Sequence, residues 1–196
     1  MARPRKFVEE NVVAAARDQF WSAGYAGTSL DDLTEATGLG RGSLYGAFGD
    51  KHDVFLRALD DYRGNVMACV TADLHKVGES GYRRLVGHIR NMANATAAEA
   101  KRGCLLAKSA SELGCTDKDV LHRVKGSMQQ YQSELRVVIE QAQREGDITA
   151  TADPEELALL VLTVLRGSEA LRTAGFTVTR MRAAAEQFIA LLPTPS

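Results

Sequence analysis

Residues 28–51 read Thr28-Ser-Leu-Asp-Asp-Leu-Thr-Glu-Ala-Thr-Gly38-Leu-Gly-Arg-Gly-Ser-Leu-Tyr-Gly-Ala-Phe-Gly-Asp-Lys51. Ser29 and Asp32 have capping-box spacing at a helix start. Leu30, Leu33 and Ala36 then recur on one face of a short helix. Gly38 supplies the left-handed C-cap, Leu39 turns inward and Gly40 stands at the next N-cap. Arg41–Phe48 form a second helix, with Leu44 and Phe48 inside at i, i+4 spacing. Arg41, Ser43 and Tyr45 are left on its outer face. Helix, glycine turn and helix within about 20 residues is the geometry of a helix-turn-helix, whose second helix fits the major groove of DNA.

The flanks extend the pattern. Asp50 caps a third helix, with Asp53 three residues on. Lys51 falls in that helix's first turn, where the dipole disfavours a cation and a phosphate partner would explain one. Upstream, Arg3-Pro4-Arg5-Lys6 is a basic arm of the kind that reaches a minor groove. Bulk charge is no part of the case. The chain has net charge −1, and residues 1–53 carry six Lys or Arg against eight Asp or Glu, a net of −2. DNA contact would depend on where charges stand, not on how many there are.

The order Gly24-Tyr25-x-x-Thr28-Ser29, then Gly38-Leu-Gly-Arg-Gly-Ser-Leu-Tyr45, then Phe48-Gly-Asp-Lys51 resembles the DNA-binding domain of the TetR/AcrR family of bacterial regulators. The resemblance covers about residues 7–62, including Val12–Ala16 and Phe20 of the first helix. It implies that Ser29 caps its helix against a phosphate. It implies that Arg41, Gly42 and Ser43 approach base edges, that Tyr45 contacts backbone or a thymine methyl, and that Lys51 holds a phosphate. Arg3, Arg5 and Lys6 complete the expected DNA-binding set. Two positions depart from the family pattern. Gly46-Ala47 replaces a bulky polar or aromatic pair, and Gly40 replaces a common serine or threonine, so fewer contacts are expected there.

The chain has 196 residues, 45% hydrophobic and 25% charged, which suits one or two soluble globular domains. The expected class is all-α. A helix-turn-helix domain of three helices spans residues 1–50, and a helical sensing and dimerisation domain spans 51–196, about nine helices in all. In the second domain, turn signals place helices at Lys51 to about Val77, roughly Tyr82 to Ala100, a short one following Gly103 through Leu113, a Thr116-capped helix to Glu145, Pro154 to about Ala174, and a last one opened by Thr177. Phe176 and Met181 are spaced as a hydrophobic staple. The most apolar window, Leu157–Leu165, is too short to span a bilayer, and no secretory run stands at the N-terminus. An odd count of cysteines (Cys69, Cys104, Cys115) fits a reducing cytoplasm.

The last two helices are apolar beyond what one core needs. Leu157, Leu160, Val161, Val164 and Leu165 stand with Met181, Ala185, Phe188 and Leu192 as the expected interface of a homodimer built on a four-helix bundle. The alternative packs them against residues 117–145 of the same chain. Two-fold symmetry would set two recognition helices about 34–36 Å apart, or a multiple, and call for a palindromic operator.

Family resemblance also implies a small-molecule effector held among residues 55–172. Met67, Met92, Met128 and Tyr131, with Gly126 making a gap, could form an adaptable lining or simply fill core. Cys104 follows Gly103 at an expected helix start, with Lys108 one turn on, an arrangement that favours a thiolate. Gly-Cys-Leu-Leu-x-Lys also resembles the segment carrying a reactive cysteine in electrophile- and oxidant-sensing members. The alternative is a small hydrophobe in a helix seam.

Other classes find little support. His52, His75, His88 and His122 are scattered without metal-ligand spacing. Gly38-Leu-Gly-Arg-Gly lacks both the dinucleotide-loop spacing and a preceding strand. No nucleophile has an identifiable base partner. No catalytic residue, metal or cofactor is therefore expected. The expected partners are a double-stranded operator, a second copy of the chain and a small-molecule effector, with no membrane. A helical module gripping a protein is the remaining rival to DNA binding.

Overall fold

The computed structural model describes residues 7–94 and 102–195. The helices are α1 Glu9–Ala23, α2 Leu30–Thr37, α3 Arg41–Phe48, α4 Lys51–Leu74, α5 Gly81–Ala93, α6 Leu105–Leu113, α7 Lys118–Glu145, α8 Pro154–Thr173 and α9 Val178–Ala190. Among the described residues there is no strand. Two compact units form. The first comprises the described residues up to Asn65 with Cys104–Lys125, and the second comprises those from Val66 to Gly103 with Gly126 onward.

In the first unit α1 buries Val12, Ala16 and Phe20 at four-residue steps. The Phe20 ring meets Phe55 edge-on at 5.0 Å, and Tyr25 lies 4.9 Å from Phe55. Full burial of a ring such as Phe20 or Phe55 contributes about 1.5–3 kcal/mol. Ser29 and Asp32 form the capping box of α2, and Gly38 ends that helix at φ 68°, ψ 11°. Leu33 is buried and Leu30 half-buried, but Ala36, expected on the same inner face, is exposed. The inward stripe continues from Leu33 to half-buried Thr37 at i+4 and passes Ala36 by at i+3.

Residues far along the chain close this unit. The Glu112 carboxylate accepts the backbone N–H groups of Tyr25 (2.9 Å) and Ala26 (2.5 Å). Lys108 Nζ donates to the carbonyl of Trp21 at 2.9 Å. His52 Nε2 lies 2.6 Å from Asp117 Oδ2. The turn entering α2 thus has its backbone donors satisfied by α6, as a non-repetitive segment requires.

The second unit has a continuous core. Met67, Val70 and Leu74 of α4 meet Leu85, Val86 and Ile89 of α5, Tyr131, Leu135, Val138 and Ile139 of α7, and apolar residues of α8 and α9. Gly81 does more than break a helix. A Cβ there would lie 2.7 Å from Ala142 N and 2.8 Å from Val138 O, so glycine permits α5 to start against the α7 backbone. Two buried arginines satisfy helix ends. Arg84 Nη1 donates to the Leu74 carbonyl at 2.9 Å, and Arg172 donates to the Met92 carbonyl.

Four boundaries differ from those the sequence suggests, the first being α5, which ends at Ala93 and not near Ala100. Helix α4 stops at Leu74, before Val77. Cys104 is the N-cap of α6 and lies outside its first turn. Asp117 caps α7, its Oδ1 accepting the N–H groups of Asp119 and Val120 at 3.0 Å, whereas the Thr116 hydroxyl donates to Leu113. A carboxylate competes better than a hydroxyl for exposed N–H groups beside a positive dipole end.

Buried within the second unit is a polar chain. His88 Nδ1 lies 2.9 Å from Asp73 Oδ2, and His88 Nε2 lies 2.5 Å from the Tyr131 hydroxyl. Neutral imidazole fits this arrangement, with Nδ1–H donating to Asp73 and Tyr131 O–H donating to Nε2. Burial pushes the His88 pKa down, and this outweighs the pull of Asp73 in the opposite direction. Burial likewise raises the Tyr131 pKa, keeping the phenol protonated. A histidine with a depressed native pKa binds fewer protons folded than unfolded. Its stabilisation is complete above the ordinary value of about 6.5 and is lost as pH falls below it. Denaturant unfolding from pH 7.5 to 5.5 should therefore show a stability loss that shrinks in His88→Gln; an equal loss in the variant would place its origin elsewhere.

Candidate nucleic-acid interface

Helix α3 is held by Leu44 and Phe48, both buried, and presents Arg41, Gly42, Ser43, Tyr45 and Gly46 to solvent. Tyr45 is 42% exposed on that outer face. A Cβ added at Gly40, Gly42 or Gly46 would meet nothing within 4 Å, so internal packing does not require these glycines. Helical glycine costs about 0.5–1 kcal/mol relative to alanine. The outer face of α3 is therefore bare along Gly42 and Gly46, open to close approach by a ligand's backbone or edges.

Around that face stand the other expected contacts. Ser29 caps α2, its hydroxyl accepting from Asp32 N and donating to Asp32 Oδ2 at 2.7 Å. These bonds hold the Asp32 carboxyl below its usual range. Lys51 opens α4 with its Nζ 4.3 Å above the Tyr25 ring. Arg41 is engaged with Asp31 of α2, an acidic neighbour that the sequence pattern did not single out. Arg3, Arg5 and Lys6 lie outside the described residues. Asp50, His52 and Asp53 bring ligand atoms within 4.8 Å of one another, but the two aspartates cap each other's backbone N–H groups and His52 engages Asp117.

The sensor candidates fall in both units. Tyr131 and Met67 are core residues of the second unit, and Met92 and Met128 pack against that core partly buried. Cys104 is buried at the start of α6 in the first unit. Lys108, expected to stabilise its thiolate, directs its ammonium to the Trp21 carbonyl. Cys69 and Cys115 are exposed, and all three are free thiols.

The proposed dimer residues divide sharply. Leu157, Val161, Leu165, Met181, Ala185 and Leu192 are buried within their own unit, most of them in its core cluster, so they cannot form the outer surface assigned to them. Leu160 is 51% exposed, and Val164 and Phe188 are half-buried. The free apolar surface lies one step around the helices, on Leu159, Leu160, Gly167 and Leu171 of α8, with Leu191 following α9. Periodicity found the helices but could not separate their inward residues from their outward ones, because both faces of α8 are apolar.

Residues 12–58 match the family described as bacterial regulatory proteins, tetR family, and residues 81–190 match the tetracyclin repressor-like C-terminal domain. The chain belongs to the TetR family. As a TetR-family member it is a DNA-binding transcriptional regulator. It is 27% identical over 192 residues to the HTH-type transcriptional repressor ComR of Escherichia coli strain K12, covering 97% of this chain and 91% of ComR. It is 36% identical over 80 residues to the repressor BdcR of the same strain, covering 39% of this chain and 41% of BdcR. Among solved structures, a cysteine-substituted variant of the TetR-family regulator CifR, complexed with a 26-bp double-strand operator DNA, superposes with a TM-score of 0.84. That match has 28% identity and covers 98% of this chain and 100% of CifR. Among the described residues of this TetR-family chain, no helix is long and apolar enough to cross a membrane.

Proposed function

We propose that this protein is a homodimeric, cytoplasmic repressor that binds a palindromic operator through α3 and leaves it when a small molecule occupies the second unit. The observation that carries the DNA contact is the outer face of α3. It exposes Arg41, Ser43 and Tyr45 on a helix whose inner residues are fully used in packing. The relatives named as repressors support the direction of regulation. In this proposal the DNA-reading head is about residues 1–50, and residues 51–196 sense and dimerise. The protein acts by binding, without a catalytic step.

An effector must bind one of two states more tightly to shift operator affinity, with a typical coupling of about 1–3 kcal/mol. The core of the second unit suits that role. It sets Asp73, His88 and Tyr131 among aliphatic side chains, with the adaptable Met67, Met92 and Met128 beside them. Polar groups in such a core can exchange their mutual hydrogen bonds for those of a ligand.

Fluorescence anisotropy with DNA from upstream of the protein's own gene, at one stated salt concentration, tests the contact. Arg41→Ala is expected to weaken specific binding by about 1–3 kcal/mol if that side chain reads a base. Tyr45→Ala should weaken it as well, with thermal stability retained in both variants. Unchanged affinity in both would remove α3 from the interface and leave the protein-gripping module as the better account.

A further inference from the structure

The cation at the start of α3 is already engaged. Arg41 Nη2 lies 2.5 Å from Asp31 Oδ1, with side chains 61% and 76% exposed. An ion pair this open to water adds little to folding stability. Ser29 and Asp32 supply the capping box of α2, so Asp31 adds to that helix start only the modest favour a first-turn acid receives from the dipole. The acid therefore stands beside a surface meant for a polyanion, where it weakens attraction to every phosphate. A charge that costs affinity for all sequences calls for a role that affinity alone does not measure.

Guanidinium chemistry supplies one. Arginine presents five N–H donors in a rigid planar fork. Unrestrained, a long side chain at a helix start can turn to the nearest phosphate, a contact that carries no sequence information. A carboxylate on Nη2 occupies part of the fork and restrains its swing, leaving the other N–H groups free to donate elsewhere. Guanine offers two adjacent acceptors, O6 and N7, to such an edge, whereas adenine replaces one acceptor with a donor. Building on the assignment of α3 as the DNA-reading helix, we propose that Asp31 is a positioning residue. It holds Arg41 off the phosphates and edge-on to guanine, trading affinity for selectivity.

The test uses the full-length protein as wild type, Asp31→Ala, Asp31→Asn and Arg41→Ala. Each selects from a randomised double-stranded DNA library at one salt concentration, and the bound pool is sequenced. Affinity for a scrambled duplex is measured in parallel. Wild type should prefer guanine at one position of each half-site, and Arg41→Ala should erase that preference. Both Asp31 variants should reduce the preference at the same position about tenfold, within the range of one bidentate base contact. They should also bind the scrambled duplex several-fold more tightly. If the Asp31 variants tighten on every sequence with the guanine preference intact, Asp31 only repels phosphate and the proposal is overturned. If Arg41→Ala keeps the wild-type base preference at every position, Arg41 reads no base and the proposal is overturned, whereas α3 itself fails only if Tyr45→Ala leaves DNA binding unchanged as well.

Discussion

Replacing Leu44 with alanine should unseat α3 and abolish specific DNA binding. Helix α3 has eight residues, too few to be stable alone in water. Its only buried side chains are Leu44 and Phe48, and Leu44 is fully buried. Leucine-to-alanine changes at such sites cost about 2–5 kcal/mol, from lost transfer energy and the cavity left behind. A whole domain is usually stable by about 5–15 kcal/mol, so this loss is a large fraction. Denaturant unfolding measures the stability cost, and anisotropy measures the DNA. Tyr45→Ala provides the contrast, since its side chain is exposed and should affect DNA binding alone. A Leu44→Ala protein within about 0.5 kcal/mol of wild type would mean that α3 is anchored by other contacts.

Leu160→Glu should convert the dimer to a folded monomer with little affinity for its operator. Leu160 is 51% exposed and lies with Leu159 (45%) and Leu171 (43%) along one side of α8. Leu191, beyond the end of α9, is 80% exposed. Surface leucines repeated along one helix mark an interface better than scattered ones do. A carboxylate buried there without a partner costs about 3–5 kcal/mol, which raises the dimer dissociation constant by roughly two to four orders of magnitude. Sedimentation over a concentration series reads the oligomer, and circular dichroism checks that helices persist. Val161→Ala, one residue on but fully buried, should instead lower stability without changing the oligomeric state. A Leu160→Glu protein that sediments as wild type at every concentration would move the interface off this side of α8.

The helix-turn-helix was legible because its determinants are local. The Ser29–Asp32 box, the left-handed Gly38 and the Leu44–Phe48 pair each act within one or two turns of chain. Spacing along the sequence is enough to recognise such features, and the acid-capped start of α8 at Asp153-Pro154 was readable for the same reason. The matches to known proteins then agree with the family that those motifs resemble.

Other features depend on which distant groups the fold brings together. Glu112 reaches N–H groups 86 and 87 positions away, and His88 joins Tyr131 across 43. No spacing rule links such pairs, because the intervening chain can close loops of many lengths at similar entropic cost. The clearest case is α8, apolar around most of its circumference. Hydropathy records that each leucine prefers to leave water, but it is silent on whether its own core or a second copy receives it. Packing within the second unit buries Val161 and Leu165 and leaves Leu160 outside, a division that only the tertiary structure makes.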